Sequence, residues 1–238
     1  NTMHHIQDTN SVASGVAKIL KPKGFFISED PYLGDMVELT AYDQIYAEHM
    51  YIWSLSALRN VFDRVGMEIV DIFRTPVHGG CMRYFIGHKG EHEISDAVKQ
   101  AFAQEQNMGL DQPATFEAFR RDCEEARESL MNVLVDLNAC GKRVVGYGAP
   151  AKSTVIVNYC GISTKHIEYI SDSTPIKQGK VSPGQHIPIE TPEAFCADYP
   201  DYALLFAWNH QAEIFAKETA YRDAGGKWIL PVPRTHIV

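Results

Sequence analysis

Between positions 43 and 51 the chain reads DQIYAEHMY, which places Tyr46, Glu48 and His49 in one short segment. That set suits removal of a proton beside a carbonyl. An imidazole is partly the neutral base near neutral pH, a phenol can donate to an oxygen that gains charge, and a carboxylate can orient the imidazole or pair with a substrate hydroxyl. Any one of them alone would be an ordinary surface or core residue; their clustering favours a site. His78, followed by Gly79, Gly80 and Arg83, makes a second polar group, in which the glycines read first as a turn between strands. His4 and His5 are too close in sequence to be a metal pair on one helix face, so no metal is expected.

A different chemistry is written in VVGYGAPAKST. Gly146, Gly148 and Ala151 follow the G-x-G-x-x-A pattern after a strand and at the start of a helix, and Asp172 stands 21 residues beyond Ala151 at the end of the next strand. Glycines there let the backbone approach a phosphate, the helix start offers N–H groups, and the acid can accept from a ribose hydroxyl. Lys152 adds a cation where a diphosphate would lie. The pattern fits equally a strand-to-helix turn that binds nothing. DSTPIKQGKVSPGQHIPI is rich in turn formers; it is either a solvated connection or a loop that brings Lys177, Gln178 and Lys180 over the same strand ends.

These residues need elements to carry them. Val12, Val16, Ile19 and Leu20 mark one face of a helix that stops at Lys21 to Gly24, and FFISED reads as a strand. From Pro31 to about Trp53 the chain reads as a loop, longer than compact domains carry without a functional reason. Ser54 caps a helix with Leu55, Leu58, Val61 and Phe62 that ends at Gly66, and MEIVDIF and CMRYFIGH read as strands. After Glu91 the chain is charged and helical. Phe116, Phe119, Cys123, Ala126, Leu130, Val133 and Leu137 form one apolar stripe on a helix from about Thr115 to Ala139. RVVGYG, HIEYIS, YALLFAW and WILPV then read as strands, with helices near 152–160, 192–197 and 210–221, an alternation that implies a parallel sheet.

Composition limits the function classes. The 238 residues are 45% hydrophobic, enough for a sizeable core, and the net charge of −8 argues against nucleic acid or anionic membrane as partners. No apolar run approaches the roughly 20 residues of a membrane span. The five cysteines are scattered without a C-x-x-C pair, so a reducing cytoplasm is the expected compartment. The start NTMHHIQDTN leads into a helix that reads as arriving in mid-fold, and an upstream portion is expected.

The motifs GYGAPAKSTVIVNYCGI, YISDSTPIKQGKVSPGQHIPI, YALLFAWNHQAEI and GGKWILPVP resemble the C-terminal domain of S-adenosylmethionine-dependent sugar C-methyltransferases, which act on nucleotide-linked 4-keto-deoxysugars. EDPYLGDMVELTAYDQIYAEHMY and HGGCMR resemble that family's central part. The resemblance runs from Asn1 to about Pro233. It implies the C-terminal part of a class I methyltransferase Rossmann-like sheet over 1–90, a helical connection over 91–140, and a second Rossmann-like α/β domain over 141–238 that binds the sugar nucleotide. The glycine loop for the methyl donor and a zinc-binding module are expected upstream.

The resemblance also implies roles. His49 would be the base that forms an enolate, with Tyr46 and Glu48 beside it, and Asn1 would lie near S-adenosylmethionine. Substrate binding would involve His5, His78, Tyr147, Gly148, Ala149, Lys152, Asn158, Asp172, Lys177, Gln178, Trp208 and Asn209. Ala47, Cys81 and Ser153 depart from the family's usual His, Ser and Gly. Two other classes fit parts of the sequence. One is a nicotinamide-dependent keto-sugar reductase, from the glycine pattern and Asp172; the other is a non-catalytic sugar-nucleotide-binding module.

Overall fold

The structure, a computed structural model, describes residues 1–238. Its contacts group into two compact units, Asn1–Glu38 with Ala47–Phe119, and Leu39–Tyr46 with Arg120–Val238. No helix is long and apolar enough to cross a membrane.

The first unit is built on three antiparallel strands, β1 (Phe26–Pro31), β2 (Met67–Thr75) and β3 (Cys81–His88), in the order β1-β3-β2. Helix α1 (Thr9–Ile19) starts where the Asp8 carboxylate accepts from Ser11 N–H, which satisfies one of the open donors of the first turn. Val12, Val16 and Leu20 pack on the core as their spacing predicts, whereas Ile19, the last helical residue, is 81% exposed. Leu55, Leu58, Phe62, Met82, Tyr84 and Ile86 form the centre of that core.

The stretch expected as one long loop contains α2 (Leu33–Glu38) and a 3-10 turn at Tyr42–Gln44. A six-residue helix is too short to hold itself in water and shows little periodicity. Tertiary contacts hold this one: Met36 is buried, and Asp35 pairs with Arg74 of β2. After the loop, Ser54 Oγ accepts from Ala57 N–H and begins α3 (Leu55–Asp63). Glu105, on α4 (Asp96–Met108), adds a second cap. Its buried carboxylate accepts from Leu55 N–H at 2.5 Å, and from Ser56 N–H at 3.0 Å and Oγ–H at 2.8 Å. A carboxylate at a helix start is favoured by the open N–H groups and by the helix dipole.

Helix α5 (Pro113–Ala139) has residues in both units. Its buried stripe runs through Phe119, Cys123, Ala126, Leu130 and Leu134, so the expected stripe drifts by one residue at its end. The second unit carries β4 (Val144–Tyr147), α6 (Ala151–Cys160), β5 (Ile170–Ser171), β6 (Ile189–Glu190), α7 (Pro192–Ala197), β7 (Tyr202–Leu205), α8 (Gln211–Lys217), α9 (Thr219–Asp223), β8 (Lys227–Leu230) and β9 (His236–Ile237). The strand order is β6-β5-β4-β7-β8-β9, parallel except for β9. The helix expected over 210–221 is two helices, divided at Glu218.

The chain leaves β4 for β5 on one side and returns for β7 on the other. In open parallel sheets, that reversal opens a crevice beyond the strand ends. Gly146 lies inside β4 where a Cβ would fall 2.7 Å from the Phe206 ring and 2.9 Å from Ile170 Cγ1, both fully buried. The first glycine of the pattern therefore serves strand packing.

Two stability outcomes follow from these contacts. Gly146→Ala should lower the unfolding free energy by about 1–3 kcal/mol through overpacking. Glu105→Ala should cost about 1.5–3 kcal/mol by removing a charged cap. Urea denaturation followed by circular dichroism measures both, and unchanged midpoints would refute them.

Candidate functional site

His4 and His5 sit in a 3-10 turn at Met3–His5, and this turn faces the segment that carries His49. Ring centroids are 4.0 Å apart for His4 and His5, 4.5 Å for His4 and His49, and 5.2 Å for His5 and His49. Three bonds brace the two segments. His5 Nδ1 meets the Glu48 carbonyl at 2.7 Å, Tyr51 N–H donates to the His4 carbonyl at 3.3 Å, and Tyr51 Oη donates to the Gln7 carbonyl at 2.8 Å. A carbonyl can only accept, so His5 carries its proton on Nδ1 and keeps Nε2 as its acceptor when neutral.

His4 is held from behind. Its Nδ1 lies 2.6 Å from Asp30 Oδ1, and its main-chain N–H donates to the same oxygen at 3.1 Å. Ser28 Oγ–H donates to the other carboxylate oxygen. Asp30 is fully buried and the His4 side chain nearly so, at 0% and 3% exposure. The nitrogens that the three histidines can offer lie within 4.8 Å of one another. Ligands of a tetrahedral zinc ion at about 2.1 Å stand about 3.4 Å apart, so a cation would have to draw these rings inward.

The other expected residues divide. Glu48 is exposed, and its main-chain oxygen accepts from His5; its carboxylate was expected either to orient His49 or to pair with a substrate hydroxyl. Tyr46 groups with the second unit. Asn1 is exposed, and its Oδ1 is 3.7 Å from Cys81 Sγ. His78 is exposed in a 3-10 turn, with φ of 55° in the region that non-glycine residues rarely occupy. Gly79 and Gly80, with φ of 90° and 129°, make the turn expected of them, and a Cβ on Gly80 would strike Asp35. Arg83 is paired with Glu29 at 2.7 Å.

In the second unit a crevice of about 410 Å³ opens at the strand ends of β4 and β5. Of the expected residues, Tyr147, Gly148, Asp172 and Lys177 line it, joined by Ser171, Ser173, His210, Glu213 and Lys217, which the sequence reading did not single out. The last three stand on or just before α8. A neighbouring recess of about 390 Å³ is lined by Ala149, Thr154, Lys177, Lys180 and Ser182. Tyr147 Oη donates to Glu218 at 2.6 Å; burial and this carboxylate push the phenol above its ordinary range.

Several expected ligand contacts are spent on the fold. Lys152 and Trp208 are buried, with the indole N–H donating to Asp43 at 2.7 Å and the ammonium 3.8 Å from the same carboxylate. Asn158 donates to the Thr154 and Pro183 carbonyls, and Gln178 to the Asp172 carbonyl. Asn209 lies half-buried in the 3-10 turn Trp208–His210.

Asp172 accepts from Ala149 N–H at 2.6 Å and Thr174 N–H at 2.8 Å, with Lys177 Nζ at 3.6 Å. Burial alone would push its carboxyl up, but the bonds from Thr174 and Ala149 and the Lys177 charge outweigh that and hold it below the ordinary range. A depressed folded-state value means the carboxylate stabilises the fold above the unfolded value, about 3.9, and stops doing so as the pH falls through the folded one. Asp172→Asn should therefore cost about 1–3 kcal/mol at pH 7, and the gap to wild type should narrow below about pH 4. Urea denaturation at pH 7 and pH 3 tests this; a gap independent of pH would refute it.

The sequence model for a C-methyltransferase C-terminal domain matches residues 76–233. The curated C-methyltransferase NovU of Streptomyces niveus is 36% identical over 235 residues, which cover 98% of this chain and 56% of that protein. The chain thus spans just over half the length of this relative, and the match takes in both the histidine segment and the crevice. On this similarity, the chain belongs to the C-methyltransferase family.

Proposed function

We propose that this chain takes part in S-adenosylmethionine-dependent C-methylation of a nucleotide-linked keto-deoxysugar. It would contribute the base that forms the enolate and a Rossmann-like domain that takes up the sugar nucleotide. The observation that carries this reading is the meeting of His4, His5 and His49, since it holds the His49 imidazole in place, and a positioned imidazole is a competent base for proton abstraction beside a ketone. His49 would remove the proton from the sugar carbon next to the ketone. Tyr46, three residues earlier in the chain, would donate to the oxygen that gains charge, and His5 and Glu48 would border the substrate.

S-adenosylmethionine is the methyl donor expected of the family. Asn1, exposed and engaged with the Cys81 thiol, does not make a donor site by itself, so no step is derived through the donor. The chemistry assigned to this chain ends at the enolate.

The crevice beyond β4 and β5 would hold the diphosphate end of the sugar nucleotide, with Lys177 and Lys217 as cations. Asp172 accepts from two main-chain N–H groups, one on each oxygen, so it staples the loop and keeps acceptor capacity toward the crevice.

Two measurements bear on this reading. In the full natural chain, His49→Ala should abolish exchange of the substrate's α-proton with solvent deuterium, read by NMR; unchanged exchange would remove His49 from the base role. In calorimetric titrations of this chain, dTDP should bind and NADH should not, and Lys177→Ala should weaken dTDP about tenfold, roughly 1.4 kcal/mol. Binding of NADH alone would overturn the assignment in favour of a reductase.

A further inference from the structure

Outside the set of residues expected to act on substrate, Asp30 and His4 form a buried, hydrogen-bonded titratable pair. Asp30 has no contact with solvent, yet it takes three donors: the His4 main-chain N–H, His4 Nδ1 and Ser28 Oγ–H. Such a carboxylate is not needed to seal the sheet, because its neighbours in β1 pair with β3 through the main chain. What it does is hold one imidazole. With Nδ1 committed to a carboxylate, the His4 ring cannot turn over, and it meets the His49 ring edge to face at 4.5 Å and 89°. The same residue accepts Tyr51 N–H on its carbonyl, so it touches the loop that bears His49 at main chain and side chain both.

We propose that His4, locked by Asp30, is a positioning residue for His49: it fixes the plane of the base, and Asp30 places a buried negative charge behind the pair that offsets the positive charge His49 gains with the proton. The arrangement follows a general rule for working imidazoles, which are oriented by a carboxylate on the nitrogen that does not react. Here the carboxylate acts one ring further back. The proposal rests on the reading of His49 as the base. His4 keeps Nε2 as its open nitrogen while Nδ1 is held by Asp30; the proposal assigns the substrate's proton to His49, and complete loss of exchange in His4→Phe with His49→Ala still active would overturn that assignment.

The test uses the full natural chain with its substrate and reads α-proton exchange with deuterium, alongside ring-nitrogen NMR of histidine-labelled protein. Asp30→Asn keeps the shape and removes the charge; His4→Phe keeps the ring and the main-chain bond and removes Nδ1. Both should lower kcat for exchange about 10- to 100-fold with KM within about twofold of wild type. Both should also shift the His49 ring-nitrogen signals while those of His166 and His186 stay in place. A wild-type kcat with unmoved His49 signals in a folded variant would overturn the proposal and leave a purely structural role for the pair. If Asp30→Asn does not fold, His4→Phe decides by the same two readouts, and a fall in kcat with unmoved His49 signals in it also counts against positioning. Failure of the base reading looks different: His49→Ala would then exchange at the wild-type rate.

Discussion

The first unit depends on one carboxylate that water cannot reach. Asp30 lies in β1 opposite Met82 of β3, fully buried, and its burial is tolerated because His4 and Ser28 supply its hydrogen bonds. An unpaired buried charge costs several kcal/mol, and losing one partner of a buried pair costs about 3–5 kcal/mol. The N-terminal turn is therefore bound to the sheet by a buried, charged hydrogen bond. Through that turn the constraint passes to the loop, because His5 and the His4 carbonyl are what the Glu48 and Tyr51 main chain bonds to.

The second unit uses a carboxylate in a different way. Asp172 is nearly buried but stands at the mouth of a crevice, and it gathers the main chain of Ala149 and Thr174 and the Lys177 ammonium into one rigid edge. Gly148, with φ of 81°, makes the turn that brings Ala149 there. The same G-x-G-x-x-A turn in other parallel sheets cradles a dinucleotide. Here the acid that could read a ribose also accepts from the loop's own N–H groups. Motif and fold set where a ligand can bind, and the state of individual side chains decides which chemistry the place can serve.

Polar residues in this chain thus act at two removes. Asp43, Asp30 and Glu105 are all buried acids, each accepting from a donor distant in sequence: Trp208, His4 and Leu55 respectively. Glu105 caps the start of α3, whereas Asp30 and Asp43 fix segments with little secondary structure of their own. Long-range charged hydrogen bonds replace the short-range ladder that a helix or strand would provide.

By itself the sequence determined every strand of more than two residues, the Ser54 cap, the glycine turns at Gly79, Gly80 and Gly148, and the membership of the C-methyltransferase family. These are local signals, set by side-chain periodicity, by backbone angles only glycine adopts freely, and by contiguous motifs. The loop with His49 was legible for the same reason. What only the tertiary structure decided is whom these residues meet. His4 reads as an incidental neighbour of His5 until the strand brings Asp30 to its ring across 26 positions. Lys152 and Trp208 read as ligand contacts until Asp43 draws them inward. Helix α2 is invisible to periodicity because a six-residue helix exists only through its partners. Burial and pairing energies belong to residues far apart in the chain, and no window of sequence contains both partners.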